Sequence, residues 1–280
     1  MKNIIVGTAA WRSIYGKNSR TLSLDEVHDL VNFFSKQQLH HFDTAANYGD
    51  VANILLEMKN DLLKLDTKFD DLKSPFDLKE KISKMPLDKI NTIFFHDPNI
   101  IKHNSTSSIS DFIKIINANN IFAGFSLYEV HQLHLAVSQF NDEVVFQLPC
   151  NIFDLRFLKY IHENSLDIKR FSFRSIFARG LIFLSDQKIK KILKAHNEDV
   201  NKEFMRLFSV EYNAINLQAL TFSLINFLLE QGFKIVVGIN SQKEYYHLLE
   251  STEKSLNNID WYEISYLAQN LLKMEDLTFK

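Results

Sequence analysis

The stretch His40-His41-Phe42-Asp43-Thr44-Ala45-Ala46-Asn47-Tyr48-Gly49-Asp50-Val51 sets the reading of the whole chain. It starts as a β-rich run at 40–44, breaks into small and polar residues ending in glycine, and passes into a helical stretch at 51–59. The same unit recurs on both sides. Strand-like runs fall at 4–9, 40–44, 63–68, 92–96, 122–126, 144–148, 170–176 and 234–237. Helical stretches alternate with them at 24–34, 51–59, 78–84, 109–118, 130–140, 155–163, 217–229 and 245–254. In the first, Leu24, Val27, Leu30, Val31 and Phe34 share one face, and Ser23 with Glu26 matches a capping box. Residues 186–213 read as an extra helical insertion, and 261–272 as a terminal helix.

Eight strands with eight helical connections in 280 residues predict a closed (β/α)8 TIM barrel, one α/β domain spanning 1–280. A doubly wound sheet would present a glycine-rich turn after its first strand, and Gly7-Thr8-Ala9-Ala10-Trp11 is no GxGxxG. Composition narrows the function classes. With 46% hydrophobic and 24% charged residues the chain reads as an ordinary globular protein, and a net charge of −2 supplies no polycation for nucleic acid. No apolar run reaches the ~18 residues of a membrane span, and the opening residues lack a leader's apolar core. Cys150 is the only cysteine, so a reducing, cytoplasmic setting is expected. Glycine occurs only 7 times, and each is expected where the backbone tolerates no Cβ.

A parallel barrel builds its site at the carboxyl ends of its strands. The second strand ends in Asp43, followed by Tyr48; the third ends in Lys68 and the fourth in His96. Alone, each has a plain structural use as a cap, a packed ring, a solvated amine or a carbonyl donor. Together they rise from one end of three adjacent strands only ~4.8 Å apart, which points to a catalytic group.

Phe42-Asp43-Thr44-Ala45-Ala46-Asn47-Tyr48-Gly49 resembles the FDTAxxYG signature of the aldo-keto reductase family, and the resemblance runs along nearly the whole chain. Thr67-Lys68, Phe95-His96-Asp97-Pro98, Gly124-Phe125-Ser126, Phe146 to Asn151, Arg174-Ser175 with Gly180-Leu181, and Val236 to Ser241 are similar to its later motifs, in order and on matching strands. The pattern is that of a short bacterial branch. It implies an NADPH- or NADH-dependent oxidoreductase that reduces an aldehyde or ketone to an alcohol. A free phenol, with a pKa of about 10, is a poor acid at neutral pH, and a neighbouring ammonium favours its ionised form. The resemblance therefore gives Tyr48 the role of general acid, Lys68 that of the ammonium, Asp43 that of its holder and His96 that of a donor to the substrate oxygen. It also implies that Ser126 and Gln147 hold the nicotinamide carboxamide and that Arg174 stacks on the ring. Ser175 and Phe177 would begin the loop near the pyrophosphate, with Gly238, Asn240 and Ser241 lining the phosphate and adenosine end.

Some positions depart from the family pattern. The eighth-strand turn lacks the basic pair of many NADPH-preferring relatives; Lys243 is the nearest cation and Glu244 follows it. Leu127 replaces an Asn, and Asp50-Val51 replaces the usual Ser-Glu. Trp11 reads either as a wall of the substrate pocket, closing an otherwise open mouth with Tyr15 and the 12–20 loop, or as a packed core residue. The partner expected is a small carbonyl compound, by analogy sugar-derived, with no nucleic acid, membrane or metal and a monomeric or weakly dimeric state. Two other functions compete: a non-catalytic nucleotide-binding sensor or partner subunit on the same fold, and a Schiff-base lyase using Lys68, which an adjoining Asp43 opposes by keeping the amine charged.

Overall fold

The computed structural model describes residues 3–14, 20–69, 74–97, 100–140, 143–184, 217–253, 256 and 259–267. Eight parallel strands close on themselves in chain order: β1 (Ile4–Gly7), β2 (His41–Asp43), β3 (Lys64–Phe69), β4 (Ile90–Phe95), β5 (Phe122–Ser126), β6 (Val145–Pro149), β7 (Phe171–Arg174) and β8 (Lys234–Gly238). Pairing of Ile4 to Gly7 with Ile235 to Gly238 seals the ring. The TIM barrel expected from the alternating pattern is the fold observed. Helices α1 (Leu24–Lys36), α2 (Val51–Glu57), α3 (Pro75–Ser83), α4 (Ile100–His103), α5 (Thr106–Asn117), α6 (Val130–Phe140) and α7 (Arg156–Glu163) surround it. After β7 come α8 (Leu217–Gln231), α9 (Gln242–Glu253) and α10 (Trp261–Leu267). The inserted helix expected at 186–213, Tyr15, and the tail beyond 267 lie outside the described residues.

Strand alternation divides the side chains into two sets. Phe42 meets Phe34 of α1 at 6.2 Å, Phe95 meets Phe112 of α5 at 6.2 Å, and Phe125 meets Phe140 of α6 at 5.5 Å. These outward rings glue the barrel to its helices. Their strand neighbours Asp43 and Ser126 consequently face the barrel interior. Inside, Phe94 lies against Gly124, where a Cβ would stand 2.6 Å from the ring and 2.8 Å from the Val145 carbonyl oxygen. The scarce glycines are not all obligatory, though: a Cβ on Gly238 would meet open space.

Several element ends differ from the sequence expectation. Ser74 caps α3 by accepting from the Asp77 N–H at 3.2 Å, with Pro75 opening the helix, so it starts before Leu78. Strand β7 is shorter than 170–176. Arg170 closes a 3-10 turn at Ile168–Arg170, and Ser175 turns the chain with φ of 61°. Trp11 is fully buried at 0% exposure, stacked 6.4 Å from Phe34, with its indole N–H donated to the Ile239 carbonyl at 2.9 Å. It is a core residue and does not wall the pocket. An indole that finds both an aromatic partner and a carbonyl acceptor inside has no reason to face solvent.

Candidate active site

Asp43 ends β2 and Lys68 lies one residue from the end of β3, so the two reach the carboxyl face side by side. Lys68 Nζ donates to Asp43 Oδ1 at 2.6 Å and to the Thr44 carbonyl at 3.1 Å. The pair is almost sealed: the Lys68 side chain is 1% and that of Asp43 5% exposed. Burying two charges costs free energy that only close geometry and further hydrogen bonds offset. The second bond to Asp43 comes from the far side of the barrel, where Gln147 Nε2 donates to the same Oδ1 at 2.7 Å.

Tyr48 follows on the loop after β2, half-buried, and its ring centre lies 5.4 Å from Lys68 Nζ. Two constraints hold this turn. Gly49 has φ of +75°, and a Cβ there would stand 2.8 Å from the Arg12 carbonyl oxygen. Arg12 grips Asp50 through two bonds, Nε to Oδ1 at 2.6 Å and Nη2 to Oδ2 at 2.9 Å, while Nη1 donates to the Leu22 carbonyl. Hydrogen bonding to Arg12 holds the Asp50 carboxyl below its usual pKa. The departure at Asp50 is thus a clamp between the loops after β1 and β2. Arg12 lies in the loop expected from sequence to close the mouth, but no sequence pattern marks its contact with Asp50.

A cavity of about 550 Å³ opens at the carboxyl ends of β1, β2, β7 and β8. Asp43 and Tyr48 line it from β2 and the loop after it, Arg174 to Phe177 and Arg179 from the end of β7 and the segment beyond, Gly238 and Asn240 from the β8 side, and Phe222, Glu244 and His247 from α8 and α9. Arg174, expected to stack on the nicotinamide ring, lies over Tyr128 of this chain, 4.3 Å from guanidinium carbon to ring centre, and donates to the Leu127 carbonyl at 3.2 Å. No sequence pattern marks Tyr128 for that contact. Phe177 packs edge-on against Phe183 and Phe222 at 5.3 and 6.1 Å. Ser241 caps α9, accepting from the Glu244 N–H at 3.1 Å.

The remaining sequence candidates lie deeper or to one side. Ser126 and Gln147 pair in register on β5 and β6, both fully buried. Ser126 Oγ and Gln147 Oε1 are buried without a hydrogen-bond partner, as is Thr44 Oγ1. Orphaned polar atoms in an interior are costly, and a site that awaits a polar ligand is one reason to keep them. His96 follows β4, half-buried, its backbone N–H bonded to the Phe69 carbonyl at 3.0 Å, outside the outline of the cavity. Cys150 is fully buried; burial and, secondarily, Asp154 push its thiol pKa well up, the setting of an unreactive structural cysteine.

No family model matches the chain, and no curated protein matches it. Its fold is nevertheless that of solved aldo-keto reductases. A thermostable aldo-keto reductase in complex with the inhibitor epalrestat is 15% identical, covers 96% of this chain and 95% of its own, and superposes with a TM-score of 0.62. The apo form of an aldo-keto reductase from Bacillus halodurans is 14% identical over 94% of this chain and 97% of its own, with a TM-score of 0.61. A third, from a Medee basin deep-sea metagenome library, is 14% identical over 100% and 96%, with a TM-score of 0.58. At such identities the likeness is one of fold. Among the described residues no helix is long and apolar enough to cross a membrane.

Proposed function

We propose that this chain is a nicotinamide-dependent oxidoreductase of the aldo-keto reductase type, reducing an aldehyde or ketone to an alcohol. The observation that carries the reading is the buried Asp43–Lys68 pair, 2.6 Å apart, with the Tyr48 ring centre 5.4 Å from Lys68 Nζ and with Asp43 and Tyr48 both lining the cavity. Reduction leaves negative charge on the carbonyl oxygen, and a positioned acid must meet it. Tyr48 is that acid. Its hydroxyl gives up a proton to the substrate oxygen, and the Lys68 ammonium stabilises the phenolate left behind. Asp43 and the Thr44 carbonyl accept from Lys68 and hold it in place, and Gln147 fixes the shared Asp43 oxygen. His96 donates to the substrate oxygen as a second, orienting group.

A bound NADH or NADPH supplies the hydride. The partnerless Ser126 Oγ and Gln147 Oε1 suit a carboxamide, which offers both donors and an acceptor. Arg174, Ser175 and Phe177, with Gly238, Asn240 and Ser241, would hold the rest of the dinucleotide. The intact acid set disfavours a pure sensor. A Schiff-base role for Lys68 needs a neutral amine, against the carboxylate at 2.6 Å.

Fluorescence titration with NADH and with NADPH, followed by a panel of aldehydes and ketones including sugar-derived ones, tests the reading. Binding of at least one dinucleotide and its oxidation with a panel member is the expected result. Failure of both to bind contradicts the proposal, and binding without turnover of any carbonyl favours the sensor.

A further inference from the structure

We propose that Glu244 makes the site select the dinucleotide without a 2′-phosphate, NADH over NADPH; this rests on the reading that the cavity takes a nicotinamide dinucleotide. Tyr48 and Asp43 line the cavity from β2 and the loop after it, and Phe222, Glu244 and His247 line it from α8 and α9. With the nicotinamide at Tyr48, the α8 and α9 residues are the lining we assign to the adenosine half. Among the described residues, the arginines and lysines that line the cavity are Arg174, the last residue of β7, and Arg179, which follows it. Lys243 and Glu244 are both exposed, and of the two it is Glu244 that lines the cavity.

Glu244 also takes the donors that a phosphate would use. Its Oε2 accepts from the Asn240 N–H at 2.7 Å and from Asn240 Nδ2 at 3.3 Å. The start of α9 would otherwise offer free N–H groups and a positive dipole end, the usual setting for an anion. Here a carboxylate is already in place. An added phosphate would face a like charge and a pre-empted amide. A ribose 2′-hydroxyl is a donor instead, and a carboxylate is the acceptor that recognises it in other dinucleotide sites.

Isothermal titration of the full chain with NADH and with NADPH measures this without recourse to turnover. NADH should bind at least about tenfold more tightly, and Glu244→Gln should bring the two affinities to within about threefold of each other by improving NADPH. Glu250→Gln, which removes the same charge on α9 outside the cavity, should leave the ratio unchanged. Equal or tighter NADPH binding by the unaltered chain overturns the proposal, as does a ratio that Glu244→Gln does not move or that Glu250→Gln moves equally. If neither dinucleotide binds, the cavity is no dinucleotide site, the function proposed above falls, and this selection falls with it.

Discussion

Asp43 is the meeting point of two buried donors. One oxygen receives the Lys68 ammonium and the Gln147 amide inside a sealed interior. Asp43→Asn leaves a buried ammonium without its counter-charge, which typically costs about 3–5 kcal/mol. Urea unfolding should show a loss of that order, together with reduced carbonyl turnover; an unchanged midpoint would mean that the pair is not what holds the interior. Asp43, Tyr48 and Lys68 were legible in the sequence because each sits at or just past a strand end, where barrel topology alone says a site is built. The Gln147 contact was not, since it joins residues 104 positions apart across a closed barrel. Trp11 was ambiguous for a related reason: whether an indole faces solvent or core depends on an acceptor, the Ile239 carbonyl, supplied by the other end of the chain.

At the scale of elements, the strands were readable from their β-rich runs and the helices from their period, because a barrel repeats one local unit eight times. Ends were less legible. The Ser74–Pro75 start of α3 overrides the apolar period that begins at Leu78, and the backbone turn at Ser175 ends β7 with no glycine to announce it. Strands β2, β3 and β4 are also tied by a polar cluster that no motif marks. Asp66 Oδ1 lies 2.9 Å from His41 Nε2, close in distance but poorly aligned for a hydrogen bond, and accepts from Asn91 Nδ2 at 2.8 Å. Burial opposes ionisation of Asp66, yet the charge of His41 and the hydrogen bonds outweigh it and hold the pKa below the ordinary value. The stabilisation is therefore complete above the unfolded value of about 3.9 and is lost as pH falls through the lower, folded one. Urea unfolding of Asp66→Asn should lose stability less steeply than the parent between about pH 5 and pH 2. Parallel profiles would show that the cluster contributes nothing to acid stability.

Across the whole molecule, closure of the sheet brings β1 and β2 against β7 and β8, so the cavity forms between the first and last parts of the chain. Asp43 and Tyr48 line it from β2 and the loop after it, and Glu244 lines it from α9. Sequence order places these residues on their strands, but only closure makes them walls of one space, which is why Phe222 and His247 carried no signal beforehand. The account depends on Tyr48 as the proton donor. Single-turnover reduction by Tyr48→Phe, with dinucleotide affinity measured alongside, addresses it directly. The chemical step should slow by about 10²–10⁴-fold while dinucleotide binding stays within about twofold of the parent. A phenylalanine variant that reduces carbonyls at close to the parent rate would contradict it.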